Sequence, residues 1–289
     1  MAMDKKTIQR ISEAKEIYEA PGGKQYSVIN LKAVSSIARD GGISAKEVEI
    51  AAMEQGIVPR RYLRNMGTIG LEGQIKLLRS AVAVVGAGGL GGGLIELLAR
   101  QGVGHIIIID SDRFAETDLN RQLMATERDL GEYKVIVAAR RVSEINSSVS
   151  VTPYTERITR DNAHQLLKGA QVAVDGLDNL PSRFVTEQAC RDLGIPFVHG
   201  TIAGFGGQLM TIFPEDSGLV SIYGPPDALP ERGIEIEVGN PSATPTMIAT
   251  WQVQEVVKII TGIGTPLRNR LLLMDAREGI TEEIYLGPG

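Results

Sequence analysis

Cysteine is almost absent from this chain: Cys190 is the only one in 289 residues. One thiol excludes an internal disulfide and any metal site built from several thiolates. Histidine is nearly as scarce. His105, His164 and His199 lie far apart in the sequence, so no histidine cluster stands in for the missing cysteines. No apolar run reaches about 18 residues, so no membrane-spanning helix is expected. An excess of positive charge is also missing. Thirty Lys and Arg face 35 Asp and Glu, a net charge of -5, which argues against a DNA or RNA partner. The opening MAMDKKTIQRISEAK has charges and no apolar signal core, so export is not expected and the cytoplasm is the expected compartment.

With 43% hydrophobic and 22% charged residues, the chain can bury a full α/β core. The pattern divides near Pro59. Residues 1–59 read as a small helical N-terminal region, with Ser44 capping a helix that stops at Gly56. Two short helices about Gly41-Gly42 suggest a helix-turn-helix, but eight basic residues are matched by eight acidic ones there, so packing or dimer contact is the better reading. Residues 60–289 form the main domain. Strands are expected at 81–85, 105–110, 149–155, 171–175 and 195–201, and helices at 90–101, 132–145, 160–168 and 181–193. The alternation then changes to an antiparallel strand at 206–215, a Gly-, Pro- and acid-rich loop at 216–240, a helix at 244–261, and a closing hairpin turning near Glu278-Gly279. The fold class is α/β: a Rossmann-like, doubly wound, mostly parallel sheet with antiparallel C-terminal strands and a small helical N-terminal extension.

The most informative stretch is Ser80–Asp110, SAVAVVGAGGLGGGLIELLARQGVGHIIIID. An apolar strand meets Gly86, Gly88 and Gly91 in GxGxxG register, an amphipathic helix follows, and a second apolar strand ends in Asp110. Glycines there let backbone approach a phosphate, the helix aims free N–H groups at it, and Asp110 can accept bonds from ribose hydroxyls. This motif alone fits NAD, FAD or ATP. Arg121, Lys134 and Asp178 each fall near the carboxyl end of a strand or the start of a helix, on the rim where doubly wound sheets bind ligands. Two cations and a carboxylate beside a phosphate site point to nucleotidyl transfer, which needs clamps on a leaving pyrophosphate and a Mg²⁺ ligand, whereas hydride transfer needs neither.

GAGGLG at Gly86–Gly91, Asp110 with Asp112, LNRQ at Leu119–Gln122, GEYK ending at Lys134 and GLDN ending at Asn179 together resemble the ThiF/MoeB/HesA adenylyltransferases, relatives of ubiquitin-activating enzymes. The segment Arg61–Ser80 and the stretch GTIAGFGGQLMTIFPE are similar to that family as well, so the likeness runs from about Arg61 to Gly262. The resemblance implies that residues 60–289 are an adenylation domain. With ATP and Mg²⁺, it would adenylate the C-terminal carboxylate of a ubiquitin-fold sulfur carrier ending in Gly-Gly, in a thiamine or molybdopterin type of pathway. Carried over, Arg121 and Lys134 hold the phosphates, Asp178 the Mg²⁺ and Asp110 the ribose. Gly86, Gly88, Gly89, Gly91, Asp112, Asn120, Gln122 and Asn179 complete the nucleotide site. Arg64 matches an arginine that reaches the partner subunit's nucleotide, which implies a homodimer.

Two departures from the family accompany these matches. Many members bind a structural zinc through two CxxC pairs, and some carry a cysteine that becomes linked to the carrier; with one cysteine, this chain is expected to hold no zinc. Cys190 lies in a helical pattern and reads as a buried structural thiol. Asp118 stands where the family usually has asparagine, adding negative charge near the phosphates. His199 reads as a satisfied core histidine and Trp251 as core or interface packing. An NAD(P)-dependent oxidoreductase on the same fold and a non-catalytic carrier-binding scaffold remain as alternatives.

Overall fold

The computed structural model describes residues 4–226 and 238–287. Its first 59 residues are not helical alone, which corrects the expectation from sequence. They run α1 (Lys5–Glu13), β1 (Glu16–Glu19), β2 (Gln25–Ile29), α2 (Leu31–Gly41), α3 (Ala45–Glu54) and β3 (Val58–Pro59). β1 and β2 form an antiparallel hairpin, and β3 pairs parallel to β2. These strands escape a pattern search because they are two to five residues long and β1 is mostly exposed. The two helices around Gly42 are as expected. Gly42 ends α2 at φ 61, and Ser44 caps α3 through a full capping box with Glu47. Ile11, Ile29, Val34 and Val48 give this element its own small core.

After a 3-10 turn at Arg60–Asn65 and α4 (Gly70–Arg79), the chain enters the main sheet. There β4 (Ala81–Val85), β5 (His105–Ile109), β6 (Ser150–Tyr154), β7 (Val172–Asp175) and β8 (Phe197–Ala203) lie parallel in the order β8-β7-β4-β5-β6. Between them run α5 (Gly89–Gln101), α6 (Lys134–Ile145), α7 (Ala163–Leu167) and α8 (Leu180–Leu193). β9 (Gly206–Ile212), β10 (Arg270–Asp275) and β11 (Ile280–Tyr285) extend the sheet antiparallel beyond β8. One turn, α9 (Val220–Tyr223), and a long helix, α10 (Ala243–Thr261), lie between β9 and β10. Residues 227–237 of the expected loop lie outside the described residues.

Alternation along the strands divides the core into two layers. Val82, Val84, Ile106, Ile108, Val172 and Val174 face α5, α6 and α10. Ala83, Val85, Ile107, Ile109 and Ala173 face the α7–α8 side. Each fully buried Val or Ile contributes roughly 1.5–3 kcal/mol, so this two-sided aliphatic sheet is the main source of stability.

Strand order reverses at β4: β5 and β6 lie to one side, β7 and β8 to the other. The carboxyl ends of β4 and β7 therefore border the crevice at the switch point. Glycine is required where the loops meet. Gly86 has φ +94, and a Cβ there would collide with the Gly176 carbonyl; a Cβ on Gly91 would collide with the Gly86 carbonyl. Gly88 differs, since the nearest atom to its Cβ position is Gln122 Nε2 at 3.8 Å. Gly91→Ala should therefore cost roughly 3 kcal/mol or more in urea unfolding, whereas Gly88→Ala should stay within about 1 kcal/mol of the parent protein.

Candidate nucleotide site

Loops leaving β4, β5 and β7 enclose a cavity of about 750 Å³. Gly86, Gly88 and Gly89 line it, with Asp110, Asp112, Arg121, Gln122, Lys134, Asp178 and Asn179 from the other loops. Of thirteen residues expected from sequence, these ten converge and three do not. Gly91 sits beneath the loop, where its missing side chain lets α5 approach Gly86; it is a packing glycine. Asn120 is not among the lining residues; its side chain donates to the Asn240 carbonyl at 3.3 Å and accepts from Arg121 Nη1 at 2.9 Å. Arg64 is exposed on the 3-10 turn and does not line this subunit's cavity.

Asp110 ties two loops together. Its Oδ2 accepts from Ala87 N at 2.7 Å and its Oδ1 from Asp112 N at 2.7 Å. Burial pushes its carboxyl above the usual range, against the pull of those two N–H groups. Lys134 opens α6 and is buried, with Nζ 3.5 Å from Asp112 Oδ2 and 3.9 Å from Asp118 Oδ2. Both ion pairs are long, so the ammonium is held without short bonds that a phosphate oxygen would have to break. Arg121 donates to the Thr117 carbonyl at 2.8 Å, and its Nη2 is 3.7 Å from Asp118 Oδ1.

The unusual Asp118 is buried and has local work. Its Oδ2 accepts from Ala115 N at 3.0 Å, closing a 3-10 turn at Glu116–Asp118, and its Oδ1 accepts from Gln122 Nε2 at 2.6 Å. Gln122 Oε1 is buried without a partner among the described residues. Asn179 is largely occupied as the cap of α8: its Oδ1 accepts from Ser182 N at 2.9 Å, while its Nδ2 donates to Asp178 Oδ1 at 3.1 Å. The Asp178 carboxylate is exposed at the cavity.

Some lining residues were not found from sequence: Glu156–Ile158 after β6, Arg183 of α8, Thr201 and Ile202 of β8, and Asn240. A signal existed for Arg183, because Asp175 ends an apolar strand and a carboxylate so placed needs a cation nearby. A second groove of about 600 Å³ opens beside the first and shares Arg183, Thr201 and Ile202 with it. Apolar groups dominate its walls: Leu180, Tyr223, Leu273, Met274 and Ile280, with Gly206 and Gly207. Cys190 is buried on α8 against the α7–α8 layer, and burial pushes its thiol well above the usual range, as expected of a structural cysteine. Trp251 is 39% exposed and so is not a core residue.

The model of the ThiF family matches residues 62–288. The chain belongs to the ThiF family. It is 37% identical over 229 residues to the SAMP-activating enzyme E1 of Haloferax volcanii, covering 78% of this chain and 84% of that protein. It is 35% identical over 236 residues to the sulfur carrier protein adenylyltransferase of Thermus thermophilus, covering 75% and 83%. Among solved structures, E. coli MccB with ATP superposes with a TM-score of 0.71 at 19% identity, covering 98% of this chain and 88% of MccB; this likeness speaks for the fold alone. The ThiF-family chain is thus an ATP-using adenylyltransferase that forms an acyl-adenylate, and the oxidoreductase alternative is not favoured.

Asp118 offers a direct test of the cavity's charge balance. In Asp118→Asn the amide can keep the bond from Ala115 N, and a flipped Gln122 can use its unpartnered Oε1 to accept from the new NH₂. Loss of the carboxylate leaves Lys134 and Arg121 with less competition for phosphate. Titration calorimetry should show ATP bound about 3- to 10-fold more tightly, with the melting temperature little changed.

Proposed function

We propose that this ThiF-family enzyme adenylates the C-terminal carboxylate of a small ubiquitin-fold sulfur carrier ending in Gly-Gly, using ATP with Mg²⁺. The observation that carries the reading is the pairing of two cavities. One is polar and glycine-floored, with Lys134 and Arg121 among its cations; the other is an apolar groove that opens beside it through Arg183, Thr201 and Ile202. An extended tail lying in the groove would bring its carboxylate to the phosphate side. Gly206 and Gly207, which lack side chains, line that path. The relatives' printed names, a SAMP-activating enzyme and a sulfur carrier protein adenylyltransferase, support the same substrate class.

In the proposed reaction a carboxylate oxygen attacks the α-phosphorus of ATP. The new P–O bond forms as the bond to pyrophosphate breaks, leaving carrier–AMP and pyrophosphate. Backbone N–H groups of Gly88 and Gly89, at the start of α5, receive the phosphates, and Lys134 and Arg121 offset charge on the phosphate oxygens. Asp110 accepts from the ribose. Asp178 suits Mg²⁺, which takes one or two carboxylates together with substrate phosphates. The ion would supply charge neutralisation for the leaving pyrophosphate. Loss of one such positioned group should lower ATP–pyrophosphate exchange about 10²- to 10³-fold, so Asp178→Ala and Lys134→Ala are the variants to assay with the host's candidate carriers. No exchange by the parent enzyme with any of them would refute the substrate class. Cys190 has no part in the scheme, and Cys190→Ala should keep most of the exchange activity. Intact-mass spectrometry should then show carrier–AMP and no carrier linked to the enzyme.

The proposed active form is a homodimer with shared sites. Arg64 is exposed and away from its own cavity, and Leu123 and Trp251 are large apolar side chains left 52% and 39% exposed. An isologous contact would present Arg64 to the neighbouring cavity twice over. Arg64→Ala and Asp178→Ala, each nearly inactive, should recover activity when their subunits are exchanged. Inactivity in proven heterodimers would refute the shared site.

A further inference from the structure

Four buried or half-buried side chains between the two cavities have no place in the chemistry above. Asp175, at the end of β7, and His199, in β8, are both 0% exposed. Asp175 Oδ1 accepts from Leu177 N at 2.9 Å, and its Oδ2 accepts from Arg183 Nε at 2.9 Å and His199 Nδ1 at 2.7 Å. Arg183 Nη2 donates to the Leu177 carbonyl at 2.5 Å. His199 Nε2 lies 3.0 Å from the Tyr223 hydroxyl, to which Gln208 Nε2 donates at 2.7 Å.

Charge states follow from these partners. Burial would raise Asp175, but the Arg183 guanidinium and the His199 hydrogen bond outweigh it and hold the carboxyl below its usual range. Burial likewise lowers His199, against the pull of Asp175, so the ring is neutral. The consistent tautomer donates Nδ1–H to Asp175 and accepts the Tyr223 O–H at Nε2.

Both peptide groups of Leu177 are therefore gripped, its N–H by Asp175 and its carbonyl by Arg183, one residue before Asp178. The same chain of bonds reaches Tyr223, in the wall of the apolar groove. Helix α8 repeats the link at i, i+4 and i+8 from Arg183. Glu187 Oε2 accepts from Leu219 N at 3.2 Å, and Arg191 Nη1 donates to the Pro214 carbonyl at 2.7 Å, anchoring the segment that leads to Tyr223.

We infer that Asp175, Arg183, His199 and Tyr223 are positioning residues, a hydrogen-bonded bridge that fixes the Asp178 loop relative to the groove wall and so sets the register between carboxylate and phosphorus. The inference rests on the adenylation reading above. In-line attack is sensitive to such register, since a displacement of about 1 Å costs about 10²-fold.

Tyr223→Phe removes one oxygen from a half-buried ring, and Arg183→Lys keeps a cation for Asp175 while giving up the fork that also holds Leu177. Both should lower kcat for carrier-dependent exchange about 10- to 100-fold while changing Kd for a non-hydrolysable ATP analogue less than about 3-fold. Hydrogen–deuterium exchange at residues 176–179 should rise in both. Unchanged kcat and unchanged exchange in Tyr223→Phe would overturn the bridge, as would a loss of nucleotide affinity as large as the loss of kcat. If Arg183→Lys fails to fold, Tyr223→Phe carries the test. If no carrier supports exchange in the parent enzyme, the substrate assignment fails, while the deuterium arm, which needs no carrier, still decides whether the bridge holds the loop.

Discussion

The whole site depends on three glycines meeting backbone to backbone. Gly91 of α5 rests on the Gly86 carbonyl, and Gly86 rests on the Gly176 carbonyl, with no room for a Cβ at either contact. Gly86 N also donates to the Ile109 carbonyl and Gly176 N to the Val85 carbonyl, each at 2.8 Å, so the loops after β4 and β7 are sewn to neighbouring strands. Because these loops are so close, the start of α5, the Asp110 loop and the Asp178 loop face one cavity. A single added methyl group at this point would separate them.

The ion pairs that Lys134 and Arg121 make with the cavity carboxylates are long. Lys134 is buried with Asp112 and Asp118 at 3.5 and 3.9 Å, and Arg121 stands 3.7 Å from Asp118. At such separations attraction offsets the cost of burial, yet no short directional bond must be broken for a phosphate oxygen to replace a carboxylate. Asp175 presents the opposite design. Its oxygens are filled by Leu177 N, Arg183 and His199, an arrangement suited to rigidity rather than exchange. Long charge pairs line the cavity in front of the Asp178 loop, and a saturated network lies behind it.

Family likeness begins at Tyr62, where the N-terminal element meets the sheet domain. Tyr62 is fully buried, and its hydroxyl accepts from Asn146 Nδ2 at 2.9 Å. Nearby, Arg61 pairs with the buried Glu49 of α3 at 3.2 Å, and Lys46 donates to the Gly104 carbonyl at 3.0 Å. The added element is thus joined to the nucleotide domain through buried polar contacts at its α3 face, despite having a separate apolar core.

Sequence alone determined the features that rest on local periodicity and on motifs contiguous in the chain. The apolar runs of β4, β5 and β7, the glycine fingerprint, the Ser44 cap and the antiparallel change after Gly206 are all of that kind, and so are the cation pair and Asp178 in their motifs. The strands at Glu16–Glu19 and Gln25–Ile29 were hidden because short, exposed strands carry no period of their own. Tertiary structure alone decided how the motif residues are used: Gly91 lies beneath the cavity, the Asn120 side chain bonds the Asn240 carbonyl, and Asn179, at the cavity, also caps α8. It also decided that Asp175, Arg183, His199 and Tyr223, spread over 49 positions, form one hydrogen-bonded unit. The physical reason is that side-chain hydrogen bonds between separate strands and helices depend on how those elements pack, and spacing along the chain does not encode that geometry.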